Sequence, residues 1–108
     1  MIAYGGYVVD QFFTHLAVGY PHPVTHEYVL SYEEIIRVVS HINQYASAII
    51  LGGDVLDADD QYTYMNWYYE HNDMLTHAEN SRLSCDKALQ HIASLSAPMQ
   101  YHYILVLN

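Results

Sequence analysis

The segment Ile50–Asp73, ILGGDVLDADDQYTYMNWYYEHND, is the stretch of this chain richest in acidic and aromatic residues that could take part in chemistry. It holds six of the 12 acidic residues, five aromatic residues and a Gly-Gly pair. Carboxylates this close in sequence could bind Ca²⁺, act as a general acid and base, or attract a basic partner. The spacing of the residues indicates which of these three roles is possible.

Asp57, Asp59 and Asp60 invite comparison with a calcium loop. An EF-hand loop beginning at Asp57 would need glycine at its sixth position and a bidentate glutamate at its twelfth. The sequence has Tyr62 and Tyr68 at those positions. Because aspartate is a common turn residue, the three acids are predicted to form a surface turn and no calcium site.

Other metal and catalytic patterns are also missing from the sequence. The eight histidines form no H-E-x-x-H pair, and the single cysteine, Cys85, cannot build a thiolate zinc site. Cys85 shares an apolar stripe with Ala88, Leu89 and Ile92, which indicates a core position, and His91 is predicted to be exposed on the same helix. We therefore predict no metal, no cofactor and no catalytic residue. A site assembled from distant histidines and aspartates stays open as an alternative.

The charge of the chain indicates which partners it can attract. Twelve acidic residues against three basic ones (Arg37, Arg82 and Lys87) give a formal net charge of −9. Binding of nucleic acid or of an anionic membrane depends on Lys and Arg, so neither is an expected partner. A basic protein would be attracted by electrostatic steering, although solubility alone is the simpler explanation of the charge.

Length and composition predict one soluble domain covering residues 1–108. Hydrophobic residues make up 52% of the 108 residues, enough for a packed core. The N-terminus has no basic region typical of a signal peptide, and no apolar run is long enough to cross a bilayer. With a single cysteine, these features favour a cytoplasmic protein, and the oligomeric state is not predicted.

Hydrophobic periodicity predicts an α+β fold, with a small, mainly antiparallel sheet of about three or more strands and helices mainly on one face. A helix should begin after a capping box at Ser31 and run to about Tyr45, burying one apolar face. A second helix should begin between Leu75 and Ser84 and end before Pro98. A helix capped by Asp10 is expected in residues 1–30, which are otherwise hard to place.

Three strands are predicted. The first is Ala48–Gly52, ended by the Gly-Gly pair, where the backbone would need a positive φ or a close approach. The second is Tyr62–Tyr69, whose tyrosines at 62, 64 and 68 would share one face. The third is Tyr101–Leu107, which is apolar on both faces and therefore expected in the interior of the sheet.

The fragments IILGGDVL, YTYMNWYYE, SRLSCDKALQHI and YHYILVL resemble a family of bacterial immunity proteins from polymorphic and contact-dependent toxin systems. The resemblance covers about Ser31 to Leu107. It implies an α+β protein that binds and neutralises a cognate toxin domain and is not an enzyme. It also implies structural roles, with Asp54 capping or bracing a turn and Trp67 anchoring the sheet to a helix. The motif residues that it singles out are Gly52, Gly53, Asp54, Asn66 and Trp67.

The acidic and aromatic segment then becomes a hypothesis about toxin binding. A nuclease active site is positively charged because it holds phosphates, so an inhibitor that presents carboxylates would fit a basic nuclease toxin. The alternative is a small metal-dependent or hydrolytic enzyme that uses scattered histidines and aspartates. The residues expected to bind the toxin are Asp57, Asp59, Asp60, Tyr62, Tyr64, Glu70 and Asp73.

Overall fold

The computed structural model describes residue 13 and residues 15–108. Its elements are β1 (Tyr20–Pro21), β2 (Tyr28–Val29), α1 (Tyr32–Tyr45), β3 (Ile50–Leu56), β4 (Trp67–Tyr68), α2 (His77–Ser94), a 3-10 turn (Pro98–Gln100) and β5 (His102–Leu107). This arrangement confirms the predicted α+β class. The cap predicted at Asp10 lies outside the described residues. None of the helices in the described ranges is long and apolar enough to cross a bilayer.

The main sheet has three antiparallel strands in the order β4-β3-β5. The β1–β2 hairpin forms a second sheet, and Leu30, just after β2, exchanges two backbone hydrogen bonds of 2.8 Å with Tyr103 of β5. The predicted interior position of β5 is wrong, because β3 is the central strand. β5 is apolar on both faces because Leu105 packs with the helices while Ile104 packs with Val29 of the hairpin.

Helix α1 forms as its sequence predicts. The Ser31 hydroxyl accepts a hydrogen bond from the Glu34 backbone N–H, and the Glu34 carboxylate accepts one from the Ser31 backbone N–H. The helix ends at Tyr45, where Ala46 adopts a left-handed conformation. Its apolar stripe is fully buried, and each such side chain contributes roughly 1.5–3 kcal/mol through removal from water. The stripe consists of Ile35, Val38, Val39 and Ile42.

Helix α2 begins at a second capping box, formed by Thr76 and Glu79. Its bounds fall within the predicted limits. Cys85, Ala88 and Ile92 are buried as predicted, but Leu89 is 38% exposed and lies outside the stripe. The stripe is therefore narrower than the sequence suggested, and small side chains such as Ala88 let the helix approach α1 closely.

Strand β3 does not end at the Gly-Gly pair, as predicted, but continues to Leu56. The glycines allow β4 to lie against it. A Cβ on Gly53 would lie 2.7 Å from Trp67 Cζ2 and 2.6 Å from the Ile104 carbonyl oxygen, and a Cβ on Gly52 would collide with the Trp67 carbonyl oxygen. The predicted close approach therefore explains this pair, whereas the predicted strand end is wrong.

The second predicted strand, Tyr62–Tyr69, is mostly irregular. Only Trp67 and Tyr68 form β4, and Tyr62 makes an isolated bridge to Leu56. From Tyr62 to Trp67 the chain advances five residues, whereas β3 advances three from Leu56 to Gly53. The two extra residues interrupt the ladder but preserve the predicted alternation. One set is exposed (Tyr62, Tyr64, Asn66 and Tyr68), and the other is half-buried or buried (Thr63, Met65, Trp67 and Tyr69).

Candidate functional site

The two faces of the main sheet are covered differently. Both helices pack on the face that carries Val55, Trp67 and Leu105. Since side chains alternate along a strand, the neighbouring residues point to the opposite face, where the hairpin residue Val29 covers Leu56 and Ile104. Neither α1 nor α2 packs on this opposite surface, which we call the helix-free face. It is formed by Gly52, Asp54 and Leu56 of β3, Tyr68 of β4, and His102, Ile104 and Val106 of β5.

The acidic turn after β3 is a structured turn. The Asp57 carboxylate accepts backbone hydrogen bonds from Asp59 (2.9 Å) and Gln61 (3.0 Å), and the Asp57 backbone N–H donates to the Gln61 carbonyl oxygen. Asp60 completes the turn with a left-handed backbone, φ 60°. Aspartate tolerates this conformation better than most residues. Asp57 therefore shapes the turn, and Asp59 is left exposed at its tip.

Asp60 joins the turn to the hairpin and to β5. Its carboxylate accepts hydrogen bonds from the Tyr20 hydroxyl and from His102 Nδ1, the latter at 2.6 Å. Its carbonyl oxygen lies 3.1 Å from His22 Nε2. Because His22 Nδ1 accepts backbone hydrogen bonds from Val24 and Thr25, its Nε2 carries the proton and donates to Asp60.

These hydrogen bonds shift the acidity of both partners. Burial favours the protonated Asp60 carboxyl, but the bonds from Tyr20 and His102 favour the carboxylate more strongly, and the pKa of Asp60 falls below its ordinary value. The same bond to Asp60, together with burial, raises the pKa of the Tyr20 hydroxyl to about 12. At neutral pH Asp60 is a carboxylate engaged within the protein.

Tyr62 also connects the segment to the hairpin. Its hydroxyl donates a 2.9 Å hydrogen bond to the Glu27 carboxylate and lies 3.3 Å from Thr25 Oγ1, and its ring contacts His22. Burial, with the Glu27 hydrogen bond and the nearby charge of Asp54, raises the pKa of Tyr62. Tyr62 is still 43% exposed, so its ring edge is accessible.

Tyr64 and Tyr68 are the most exposed aromatics of the segment. Tyr64 lies in the two-residue bulge and is fully exposed, and Tyr68 is 74% exposed. Neither makes a side-chain hydrogen bond or ring contact within the described part of the chain. Large aromatic side chains left in water without an internal role are typical of binding surfaces.

Glu70 and Asp73 lie at the other end of the sheet. Both are exposed, and Asp73 Oδ1 lies 3.0 Å from His71 Nδ1. The acidic turn follows the C-terminal end of β3, whereas β4 leaves the sheet beside Leu51 at the N-terminal end. At ~3.3 Å per residue, this seven-residue strand separates the two groups by roughly 20 Å. The structure thus divides the predicted toxin-binding residues into two clusters.

The motif residues of the resemblance occupy different surroundings. Trp67 is 4% exposed, and its indole packs between Gly53 and the His91 ring. The centroids of the indole and the His91 ring are 5.0 Å apart and the two rings are stacked with their planes at 28°. Asn66 is exposed. Asp54 neither caps nor braces a turn, because it lies within β3, paired with Ile104.

Two groups of residues that matter here were missed in the sequence. The hairpin supplies Tyr20 and Glu27 to the acidic segment, and residues so distant in sequence carry no spacing signal. His91 was predicted to be exposed but is half-buried, because its Nε2 donates a 2.6 Å hydrogen bond to the Met65 carbonyl oxygen. Asn80 is fully buried and hydrogen-bonds to Tyr69 and to the backbone of residues 72, 75 and 76, which fixes the loop before α2.

The basic residues are confined to the helices, which also carry four acids, whereas most of the acids lie elsewhere. All three Lys and Arg residues lie on helices, Arg37 on α1 and Arg82 and Lys87 on α2. Seven of the 12 acids lie outside the helices described, in the hairpin, in β3 or between β3 and α2. They are Glu27, Asp54, Asp57, Asp59, Asp60, Glu70 and Asp73. No Lys or Arg of these segments offsets their charge.

Neither metal binding nor cysteine chemistry gains support from the geometry. Within residue 13 and residues 15–108, no three histidine, cysteine or carboxylate side chains are grouped so that they could hold a metal ion. Cys85 is fully buried, and its Sγ lies 3.7 Å from the Val39 carbonyl oxygen. Burial, with the negative charge of Asp86, raises the pKa of the Cys85 thiol to about 11, so the thiolate is scarce at neutral pH.

Comparison with known proteins identifies the class. Residues 17–108 match the model of a protein family described as Immunity protein 40, which places the chain among the immunity proteins. The chain belongs to the immunity protein 40 family. No match was found among curated proteins or among solved structures. The resemblance noted in the sequence began at about Ser31. The family match begins earlier, at residue 17, and therefore includes the β1–β2 hairpin.

Family membership gives the chain a toxin-neutralising function and implies a cognate toxin as its partner. The corresponding role is that of a non-enzymatic inhibitor. Any inhibitor of this kind must present a surface complementary to its toxin.

Proposed function

We propose that this protein neutralises a basic toxin domain, most simply a nuclease, in the cytoplasm by covering its phosphate-binding site with an acidic and aromatic surface. This surface comprises Asp57, Asp59, Asp60, Tyr62, Tyr64, Glu70 and Asp73. The observation that carries the proposal is that every Lys and Arg lies on a helix, so that no basic residue offsets these acids within their own segments.

The individual residues support different parts of the binding process. Asp59, Glu70 and Asp73 are exposed, so they would mainly accelerate association with a positively charged partner. Tyr64 is free to be buried by the partner and would slow dissociation. Asp57 and Asp60 are already engaged in hydrogen bonds, so they would hold the surface in shape as well as add to its charge.

The size of the surface also suits a protein partner. Two clusters roughly 20 Å apart fit within a patch of ~800 Å², the usual share of one partner in a stable complex. A nuclease is favoured because its active site must hold phosphates, and carboxylates can occupy the same positive site.

The test uses the toxin domain encoded next to this protein. Association is measured by surface kinetics at two salt concentrations for the parent and for the Asp59→Asn/Glu70→Gln variant. We expect the variant to associate on the order of three- to tenfold more slowly at low salt, with a flatter salt dependence. Nuclease activity of the toxin should disappear at a stoichiometric amount of the parent.

The matched control is Glu33→Gln/Asp86→Asn, which removes the same charge from exposed positions on α1 and α2. It should associate nearly as fast as the parent. Equal slowing by both variants would mean that net charge alone matters and that the acidic segment is not the interface. A toxin domain that cleaves no nucleic acid would contradict the nuclease assignment but leave the acidic interface intact.

A further inference from the structure

A part of the helix-free face is open to solvent beside the hairpin. Val29 of the hairpin covers Leu56 and Ile104, which are fully buried, whereas Tyr68 and Val106 are 74% and 42% exposed. Tyr68 and Val106 both pair with Gly52, one on each side of β3. They therefore form an apolar row across the sheet with no side chain at its centre.

Asp54 lies in the next row of this face, two residues along β3 from Gly52. It is partly buried between neighbouring strands and pairs with Ile104. Its carboxylate makes no hydrogen bond and no ion pair in the part of the chain that the structure describes. In contrast, the Asp57 carboxylate accepts two hydrogen bonds from backbone N–H groups, and the Asp60 carboxylate accepts two from side chains.

The surroundings of Asp54 make its charge unfavourable in the free protein. Burial in the sheet, and then repulsion by the Glu27 carboxylate, raise the pKa of Asp54 above its ordinary value. Aspartate is also a poor strand residue. A charge that opposes folding and has no partner among the described residues is typical of a functional position.

A cationic side chain would satisfy Asp54, and Lys or Arg of this chain does not supply one, because all three lie on α1 and α2, which pack on the other face of the sheet. A residue diagonal to Asp54 across an antiparallel pair, as Tyr68 is, lies within reach of a long side chain. Arginine suits this setting better than lysine. Its planar guanidinium can stack on a tyrosine ring and bind carboxylates through several N–H groups at once.

We propose that the helix-free face around Asp54 is the centre of the toxin interface, where an arginine of the toxin stacks on Tyr68 and pairs with Asp54 and Glu27. This proposal rests on the proposed function, since it assumes a basic toxin domain. It adds a docking position between the two clusters described above, where Asp54 would bind the toxin directly.

The test combines two measurements on Asp54→Asn. With the co-encoded toxin domain, we expect the variant to bind at least tenfold more weakly, mainly through faster dissociation, because a pair at the centre of an interface is buried on binding. In urea at neutral pH, the free variant should unfold at a midpoint equal to or above that of the parent, because an unfavourable charge is removed. Tyr68→Ala should also speed dissociation, and Asp54→Glu should bind more tightly than Asp54→Asn.

The matched control is Asp86→Asn, which removes one carboxylate from α2 on the other side of the protein. If Asp54→Asn binds like this control while the parent shows salt-dependent binding, only the present proposal is wrong. If the parent does not bind the basic toxin domain at all, the proposed function fails and this proposal fails with it. A clear loss of stability in Asp54→Asn would also overturn it, since Asp54 would then have a structural role.

Discussion

Gly53 and Trp67 lie directly opposite each other on neighbouring strands, and the indole occupies the space that a Cβ on Gly53 would need. The other side of the indole stacks on His91 of α2. One glycine and one tryptophan therefore hold the edge strand β4 against the centre of the sheet and against a helix. The exposed aromatics on either side of Trp67 take their positions from this contact.

Trp67→Ala should lower the free energy of unfolding by about 3–5 kcal/mol, because it leaves a large cavity between β3 and α2. Gly53→Ala should cost roughly 1–3 kcal/mol by forcing the indole out of its position. The double variant should lose less free energy of unfolding than the two single variants added together, since the smaller side chain at position 67 makes room for the new methyl group. Urea unfolding of the four proteins gives the coupling. A loss below about 1 kcal/mol for Trp67→Ala would contradict its role as an anchor.

The stability of the protein should fall on acidification in part through Asp60. Its pKa is lowered in the folded protein, so the unfolded chain takes up the proton first as pH falls. The stabilisation is complete above the ordinary range of aspartate and is lost as pH falls through the lower folded value. Asp60→Asn should therefore be less stable at pH 6, by about 1–3 kcal/mol for its weakened hydrogen bonds, and less sensitive to a change from pH 6 to pH 3.

The comparison for Asp60 is Asp59→Asn, at the exposed tip of the same turn. Urea unfolding at the two pH values should give this neighbour a pH dependence close to that of the parent. If Asp60→Asn and Asp59→Asn behaved alike, the hydrogen bonds from Tyr20 and His102 would not contribute to stability.

Tyr64→Ala should leave folding unchanged and weaken toxin binding. The side chain is fully exposed, so its loss removes no internal packing, while an aromatic buried at an interface commonly contributes more than about 1 kcal/mol. We expect roughly tenfold faster dissociation of the toxin in surface kinetics. Tyr45→Ala removes a tyrosine that is 62% exposed on α1 and should dissociate like the parent. Identical dissociation for the two variants would place Tyr64 outside the interface.

Cys85 should be inert in the folded protein. Because its thiol is buried and its pKa is raised to about 11, a thiol reagent at neutral pH should react only after urea unfolds the chain. Cys85→Ser should still neutralise the toxin wherever it remains folded. Rapid labelling of the native protein, or loss of neutralisation by a folded Cys85→Ser variant, would contradict the core assignment.

The sequence by itself determined the features that depend on local periodicity and capping. Ser31 and Glu34 form the predicted capping box, and the buried stripe of α1 follows from apolar residues at helical spacing. The fold class, the family and the buried position of Cys85 could likewise be inferred from patterns within short segments.

Only the tertiary structure decided which neighbours each strand residue meets. The Gly52–Gly53 pair predicted a strand end with a positive φ or a close approach, but only packing shows that the strand continues and that Trp67 is the residue that approaches. The alternation from Tyr62 to Tyr69 could not reveal the two extra residues that interrupt the ladder. The sequence predicted that Asp60 lies in an ordinary surface turn, yet its carboxylate accepts a hydrogen bond from Tyr20, 40 residues earlier in the chain. Such contacts depend on chain segments that are distant in sequence and meet only after packing, so no local spacing encodes them.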